Sequence, residues 1–234
     1  MHTIVRRFPL LRSLLAGPRY ARRRWVAYRA APANAVLHRL ETLAADDIKL
    51  RVDEFSGVFA VGPRSHLLHR LLADGYYEPQ LAQLFKSHLA PDRDVLDIGA
   101  NIGFFTVLAA KNLTTGRVLA AEPSSAAFAR LSGNVTTNDV RDRVILYNGL
   151  VAHEDSTATF NIVEGREEYS SMGDVVHPSV AGEKVHVETL LTKTIDTLVA
   201  EHGLRPALIK VDVEGAEGMV FSGAEQTLRK HRPI

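Results

Sequence analysis

Two groups of residues have the types and spacing for chemistry. The first is Asp97-Ile98-Gly99-Ala100-Asn101-Ile102-Gly103, joined by Glu122 nineteen residues past Gly103. Glycines at both ends of such a run allow the backbone to approach a ligand closely where a strand turns into a helix with exposed N–H groups. A carboxylate closing the next strand can accept hydrogen bonds from both hydroxyls of a ribose, and Pro123 stiffens the turn behind it. The second group is Asp212 and Glu214, at the end of the apolar stretch 207–213. Either could orient a reacting hydroxyl or take its proton. Alternatively Asp212 holds the following loop by accepting backbone N–H bonds, Glu214 or Glu217 caps the next helix, and Lys210 pairs with one of these acids.

The elements that must position these groups follow from apolar patterning. Short apolar runs at 94–98, 117–121, 144–150 and 207–213 predict strands, and 104–112, 124–134, 192–201 and 216–230 predict helices. Alternation at this spacing predicts an α/β fold with a largely parallel sheet, right-handed crossovers and helices on both faces. The cofactor-type loop then falls between the first strand and its helix, at the carboxyl edge where open sheets bind ligands. Ahead of this unit, 52–61 predicts an extended or hairpin segment, and 34–45, 65–73 and 79–89 predict helices. The expected organisation is a basic leader over 1–30, a partly helical cap over 31–91 and the main domain over 92–234. The polar interval 154–186 has room for one or two hairpin strands, and Arg166 to Ser171 within it could fold over an acceptor.

The loop alone would also suit a nicotinamide or flavin protein. Its spacing lacks the tight G-x-G-x-x-G turn that receives a pyrophosphate, and an acid precedes the first glycine by two positions. A carboxylate there suits a ligand with an ammonium group and no pyrophosphate, which describes S-adenosylmethionine.

The run Asp97 to Thr106, Glu122-Pro123, Asn134, Asn138 and Ile209-Lys210-Val211-Asp212-Val213-Glu214-Gly215-Ala216-Glu217 together resemble the FkbM-type methyltransferase family. Gly75-Tyr76-Tyr77-Glu78-Pro79, Thr194 to Leu198 and Phe221-Ser222-Gly223-Ala224 are similar to its flanking elements, so the resemblance covers about 75–234. It implies a class I, Rossmann-like methyltransferase that uses S-adenosyl-L-methionine to methylate an oxygen, often a hydroxyl of a sugar or natural product. Carried over, it would put Asp97, Gly99, Asn101 and Gly103 around the methionine part and Glu122 on the ribose, with Glu78 near the methionine end. By placement rather than by motif, Asn148 to Val151 at the end of the third strand are well placed for the adenine edge, and Asp212 beside the predicted cleft is the group expected nearest the reacting centre. The family's domain continues into further strands past a run like Arg232-Pro233-Ile234, which predicts a sheet lacking its C-terminal strands. An inactive binding module on the same scaffold is the alternative, with an NAD-dependent oxidoreductase behind it.

Composition narrows the partners. The absence of cysteine excludes disulfides, thiolate nucleophiles and cysteine zinc sites. His66 and His69 lack a zinc pattern, so no metal site is expected, whereas His177 and His186 could touch substrate. Residues 1–40 hold nine Arg and no acid, while 41–234 hold 19 basic and 27 acidic side chains, a net of −8. Nucleic acid is therefore not the expected partner of the folded domain; a small-molecule or carbohydrate acceptor is what the family resemblance implies. The leader mixes Arg with Leu, Phe8 and Trp25, a pattern compatible with weak contact to an anionic membrane surface or with organelle targeting. A cytoplasmic protein, peripheral at a membrane if the leader binds one, is the expected location. An unpaired edge at the 207–213 strand would also favour homo-oligomers.

Overall fold

The computed structural model describes residues 46–163, 185–213 and 215–234. The expected helix at 34–45, the leader, Arg166 to Ser171, His177 and Glu214 lie outside the described residues. In chain order the elements are β1 (Ile48–Val52), β2 (Gly57–Val61), α1 (His66–Asp74), α2 (Pro79–Ser87), β3 (Asp94–Ile98), α3 (Phe104–Asn112), β4 (Val118–Ala121) and α4 (Ser125–Thr137). They continue with β5 (Val144–Tyr147), β6 (Leu150–Val151), β7 (Ser156–Val163), β8 (Val185–Lys193), α5 (Ile195–His202), β9 (Pro206–Val211), α6 (Glu217–Ser222) and α7 (Glu225–His231).

The central sheet has the order β5-β4-β3-β9, and every pairing in it is parallel. Its strands are apolar on both sides because helices cover both. Val95, Val118 and Ala120 pack on one face with α3, α4 and the β1-β2 hairpin, through Phe55, Phe59, Phe104 and Leu131. Leu96, Ile98, Leu119 and Ala121 pack on the other with Ile195 and Leu198 of α5, Val220 of α6 and Ala224. The expected α/β class with a parallel sheet covered on both faces is therefore the observed one. Strands β6, β8 and β7 form a separate small sheet in which β7 and β8 pair antiparallel; β7 falls within the expected 154–186 interval, whereas β8 runs on to Lys193, over the start of the helix expected from 192.

Two expected elements are broken, each by a tertiary contact. The strand expected over 144–150 ends at Tyr147, because the Asn148 side chain donates to the carbonyls of Glu122 (2.8 Å) and Pro123 (3.2 Å) and β6 then joins the second sheet. The helix expected over 216–230 splits at Gly223, where a Cβ would overlap the carbonyl oxygen of Ala152. The N–H groups of Gln226 and Thr227, at the start of α7, donate to the carboxylate of Asp196 on α5 (2.9 and 2.7 Å), so the second piece has its own cap. The last residue, Ile234, donates to Ala207 O and accepts from Ile209 N–H, making a parallel bridge beside β9.

The hairpin is attached to the main domain by two asparagines four residues apart, Asn134 in α4 and Asn138 at its C-terminal cap. Asn134 accepts from the N–H of Ala60 (2.7 Å) and donates to Ile102 O (2.8 Å) and Ala60 O (3.3 Å). Asn138 accepts from Val58 N–H (3.0 Å) and donates to Val58 O (2.7 Å). Alternate residues of β2 thus find on α4 the partners another strand would have supplied, as a buried backbone requires. Because Ile102 lies in the glycine loop, Asn134 also joins that loop to the hairpin. Asn134→Leu leaves these buried groups unpaired and is expected to lower stability by about 3 kcal/mol. Urea unfolding measures this as a lowered midpoint at unchanged slope.

Candidate active site

The glycine loop takes a shape that few sequences allow. Gly99, Asn101 and Gly103 all have left-handed backbone conformations, with φ of 76°, 50° and 92°. Asparagine tolerates that region better than most residues. Gly99 has a second requirement, since a Cβ there would overlap the carbonyl oxygen of Asp212 where β9 leaves the sheet. Within the loop, Gly99 N–H and Ala100 N–H donate to Ala121 O, Gly103 N–H to Ala100 O, and Asn101 N–H to Oε2 of Glu122 at 2.8 Å. These amides already have acceptors, so they do not form the open nest of N–H groups that cradles a phosphate.

Glu122 closes β4 and is buried. Its other oxygen, Oε1, accepts from Ser124 N–H at 2.9 Å, so the carboxylate links the loop to the start of α4. Burial pushes its pKa from 4.5 up to about 7; the two N–H donors and the Lys210 charge pull against that rise, and the Asp97 carboxylate adds to it. Each oxygen keeps a lone pair for one further donor.

Asp97 stands differently from Glu122. Its side chain has no exposure to solvent. Oδ2 accepts from Thr106 Oγ1 on α3 at 2.6 Å. Oδ1 has no well-formed hydrogen bond among the described residues, but the Lys210 ammonium lies 3.2 Å away and compensates it by charge. Lys210 faces Asp97 directly in the β3-β9 register. It also donates to Gly99 O at 3.1 Å, lies 3.4 Å from Asp212 Oδ2 and sits 5.3 Å from the centre of the Phe105 ring. Burial works against the lysine's charge, yet the Asp97 and Asp212 carboxylates outweigh it and hold its pKa above the ordinary lysine value.

A cleft of about 790 Å³ opens over the carboxyl ends of β3, β4 and β9. Of the predicted residues, Glu78, Gly99, Asn101, Glu122 and Asp212 line it together. Asp212 is at its exposed rim, with 72% of its side chain accessible. Glu78 enters at the head of α2 with a left-handed φ of 45° and accepts from Arg70 at 3.2 Å. Three predicted residues are not in the lining. Asp97 is sealed beneath the loop by Thr106 and Lys210, Gly103 packs against Leu131, and Asn148 spends its amide behind the Glu122 turn. His66 lines the cleft, and among the described residues no group of three His, Asp or Glu could hold a metal ion.

Lys210 lines the cleft as well, and its simultaneous contact with the loop, Asp97 and Asp212 was not specified by sequence reasoning. The available signal was a lysine on the apolar 207–213 run two residues before Asp212; that it faces Asp97 comes only from the strand register. Phe85, Leu81 and Leu84 of α2 form an apolar wall that sequence reasoning did not anticipate. Among the described residues no helix is long and apolar enough to cross a membrane.

No curated protein matches the chain. Among solved structures, an O-methyltransferase from Bacillus cereus in complex with SAH is 20% identical, over 50% of this chain and 50% of that one, with a TM-score of 0.32. Trm5b from Pyrococcus abyssi is 18% identical over 52% of this chain and 43% of that one, with a TM-score of 0.34. A tRNA (uracil-54, C5)-methyltransferase from the same organism, in complex with S-adenosyl-L-homocysteine, is 20% identical over 44% and 24%, with a TM-score of 0.33. The chain thus spans half or less of each of these structures. The family model for the methyltransferase FkbM domain matches residues 97–234, the span that carries the loop, Glu122 and the Lys210-Asp212 strand end, and the chain belongs to that methyltransferase family.

Proposed function

We infer that the protein is an S-adenosylmethionine-dependent O-methyltransferase acting on a hydroxyl of a sugar or natural-product-like small molecule. The observation that carries this reading is Glu122, a buried carboxylate at the cleft with a free lone pair on each oxygen, beside a loop whose amides are not arranged for phosphate. A ribose with both hydroxyls free and no attached pyrophosphate fits that pair. Gly99 and Asn101 give a neighbouring ligand close access to the backbone, and Glu78 is available to its amino acid end. Bound S-adenosylmethionine supplies an electrophilic methyl group; an acceptor oxygen takes that methyl while the carbon–sulfur electron pair returns to sulfur.

The chain's own contribution is orientation and proton handling. Asp212 at the rim can accept the hydroxyl proton on Oδ1 or Oδ2 as the oxygen attacks and then pass it to water. Lys210 beside it keeps the carboxylate in place. The wall of Leu81, Leu84 and Phe85 favours an acceptor with an apolar body over a polyanion, in line with the net acidity of residues 41–234. That charge balance is why we favour a small molecule over the RNA named for some of the similar structures.

Calorimetry with S-adenosylhomocysteine and NAD tests the cofactor reading: the first binds and the second does not. Binding of NAD alone overturns it. Glu122→Ala weakens S-adenosylhomocysteine by about 1.5 to 3 kcal/mol for each charge-assisted bond lost, and unchanged affinity refutes the ribose assignment.

The hydroxyl donors need ionised Glu122, so affinity is full only well above pH 7 and declines as pH falls through about 7. Stability runs the other way: the favourable contribution of neutral Glu122 is fully present below 4.5 and is lost as pH rises through about 7. Carbon-13 NMR of the side-chain carboxyl checks both, with a Glu122 midpoint near 7 in the free protein.

Asp212→Ala is expected to keep cofactor affinity and lose about 100-fold or more in turnover. Mass spectrometry on small-molecule and carbohydrate extracts, reading the gain of one CH2 per acceptor, supplies the assay. Wild-type turnover by the D212A variant removes Asp212 from the mechanism.

A further inference from the structure

An acid two positions before the first glycine suggests a direct partner for the ammonium group of the methyl donor. The geometry argues against that role here. Asp97 has no exposed surface and is absent from the cleft lining; Thr106 takes one oxygen and the Lys210 ammonium faces the other. A buried carboxylate stays ionised at modest cost only when a counter-charge lies close by. Lys210 is that counter-charge, with 13% of its side chain exposed. The same ammonium holds the Gly99 carbonyl, the first bend of the glycine loop, and faces Asp212 across the gap. Asp212 is also fixed through its backbone, since its N–H donates to Ile98 O at 3.0 Å.

We propose that Lys210 is a positioning residue: paired with Asp97, it sets the shape of the glycine loop for the methyl donor and the place of Asp212 for the acceptor, so that Asp97 acts on the donor only through the loop. This rests on the cofactor reading above. It has a consequence that direct recognition lacks. If Asp97 touched the donor's ammonium group, its loss would matter only for ligands carrying that group. Acting through the loop, loss of either Asp97 or Lys210 weakens every ligand that needs the loop, including one that ends at the thioether.

The test compares S-adenosylhomocysteine with 5′-methylthioadenosine, which lacks the amino acid end, by calorimetry on wild type, D97N, K210M and the double variant. The expected result is a loss of about tenfold or more for both ligands in each single variant. The double variant should lose no more than either single one, because the two residues act as one pair. K210R, which keeps the charge beside Asp97, restores both affinities to within about threefold, a rescue that simple loss of packing would not give. If K210M does not fold, K210Q carries the same comparison, keeping a donor for the Gly99 carbonyl without the charge.

Lysine side-chain NMR supplies a further readout, because Lys210 titrates at higher pH than exposed lysines in wild type and moves down in D97N. A loss in D97N confined to S-adenosylhomocysteine overturns the proposal in favour of direct ammonium contact. Unchanged affinities in K210M also overturn it. Wild type that binds neither ligand defeats the cofactor reading itself, a result separate from both.

Discussion

A charged carboxylate with no exposure, placed at the end of a central strand, constrains everything around it. Asp97 is such a group, and three elements meet to satisfy it: α3 through Thr106, β9 through Lys210, and β3 itself. The desolvation of an isolated carboxylate would cost several kcal/mol, a large share of the roughly 5 to 15 kcal/mol by which a domain folds. The folded state therefore strongly favours the pairing. Because the lysine that supplies the charge also holds Gly99 O and faces Asp212, satisfying Asp97 fixes the loop and the rim residue together. The charge balance of the core and the geometry of the cleft are one arrangement.

Glu122 makes a complementary bargain with the solvent. Its carboxylate is buried, but it accepts from only two backbone N–H groups, one on each oxygen, and lines the cleft. Burial raises its pKa to about 7, so the ionised form costs stability near neutral pH. A ligand that donates two hydroxyl hydrogen bonds recovers that cost, which couples binding to the state of the site. Further out, Asn134 and Asn138 let α4 act as a strand substitute for the edge of β2, and Asn134 passes the restraint on to Ile102 in the loop.

Much of this was readable from residue order because local patterns decided it. The apolar run at 94–98 and the helix at 104–112 appear with those bounds, and the left-handed positions fall on Gly99, Asn101 and Gly103 as a strand-to-helix turn demands. The breaks at Asn148 and Gly223 were not readable, because each depends on a carbonyl distant in sequence: Glu122 O in one case and Ala152 O in the other. Asp97 shows the same limit at the site. Spacing marks it as important, but only the register that sets Lys210 opposite it shows that its partner is a lysine within the chain. Asn134 and Asn138 stood out by resemblance alone, and their role emerged once α4 lay against β2.

The most direct test of this account is a crystal structure of the protein with S-adenosylhomocysteine bound. It should show both ribose hydroxyls donating to Glu122 at about 2.7 Å, with the ligand's amino group on the cleft side of the loop and the Asp97-Lys210 pair intact beneath it. A ligand seated away from Glu122, or one whose amino group has displaced Lys210 from Asp97, would contradict it.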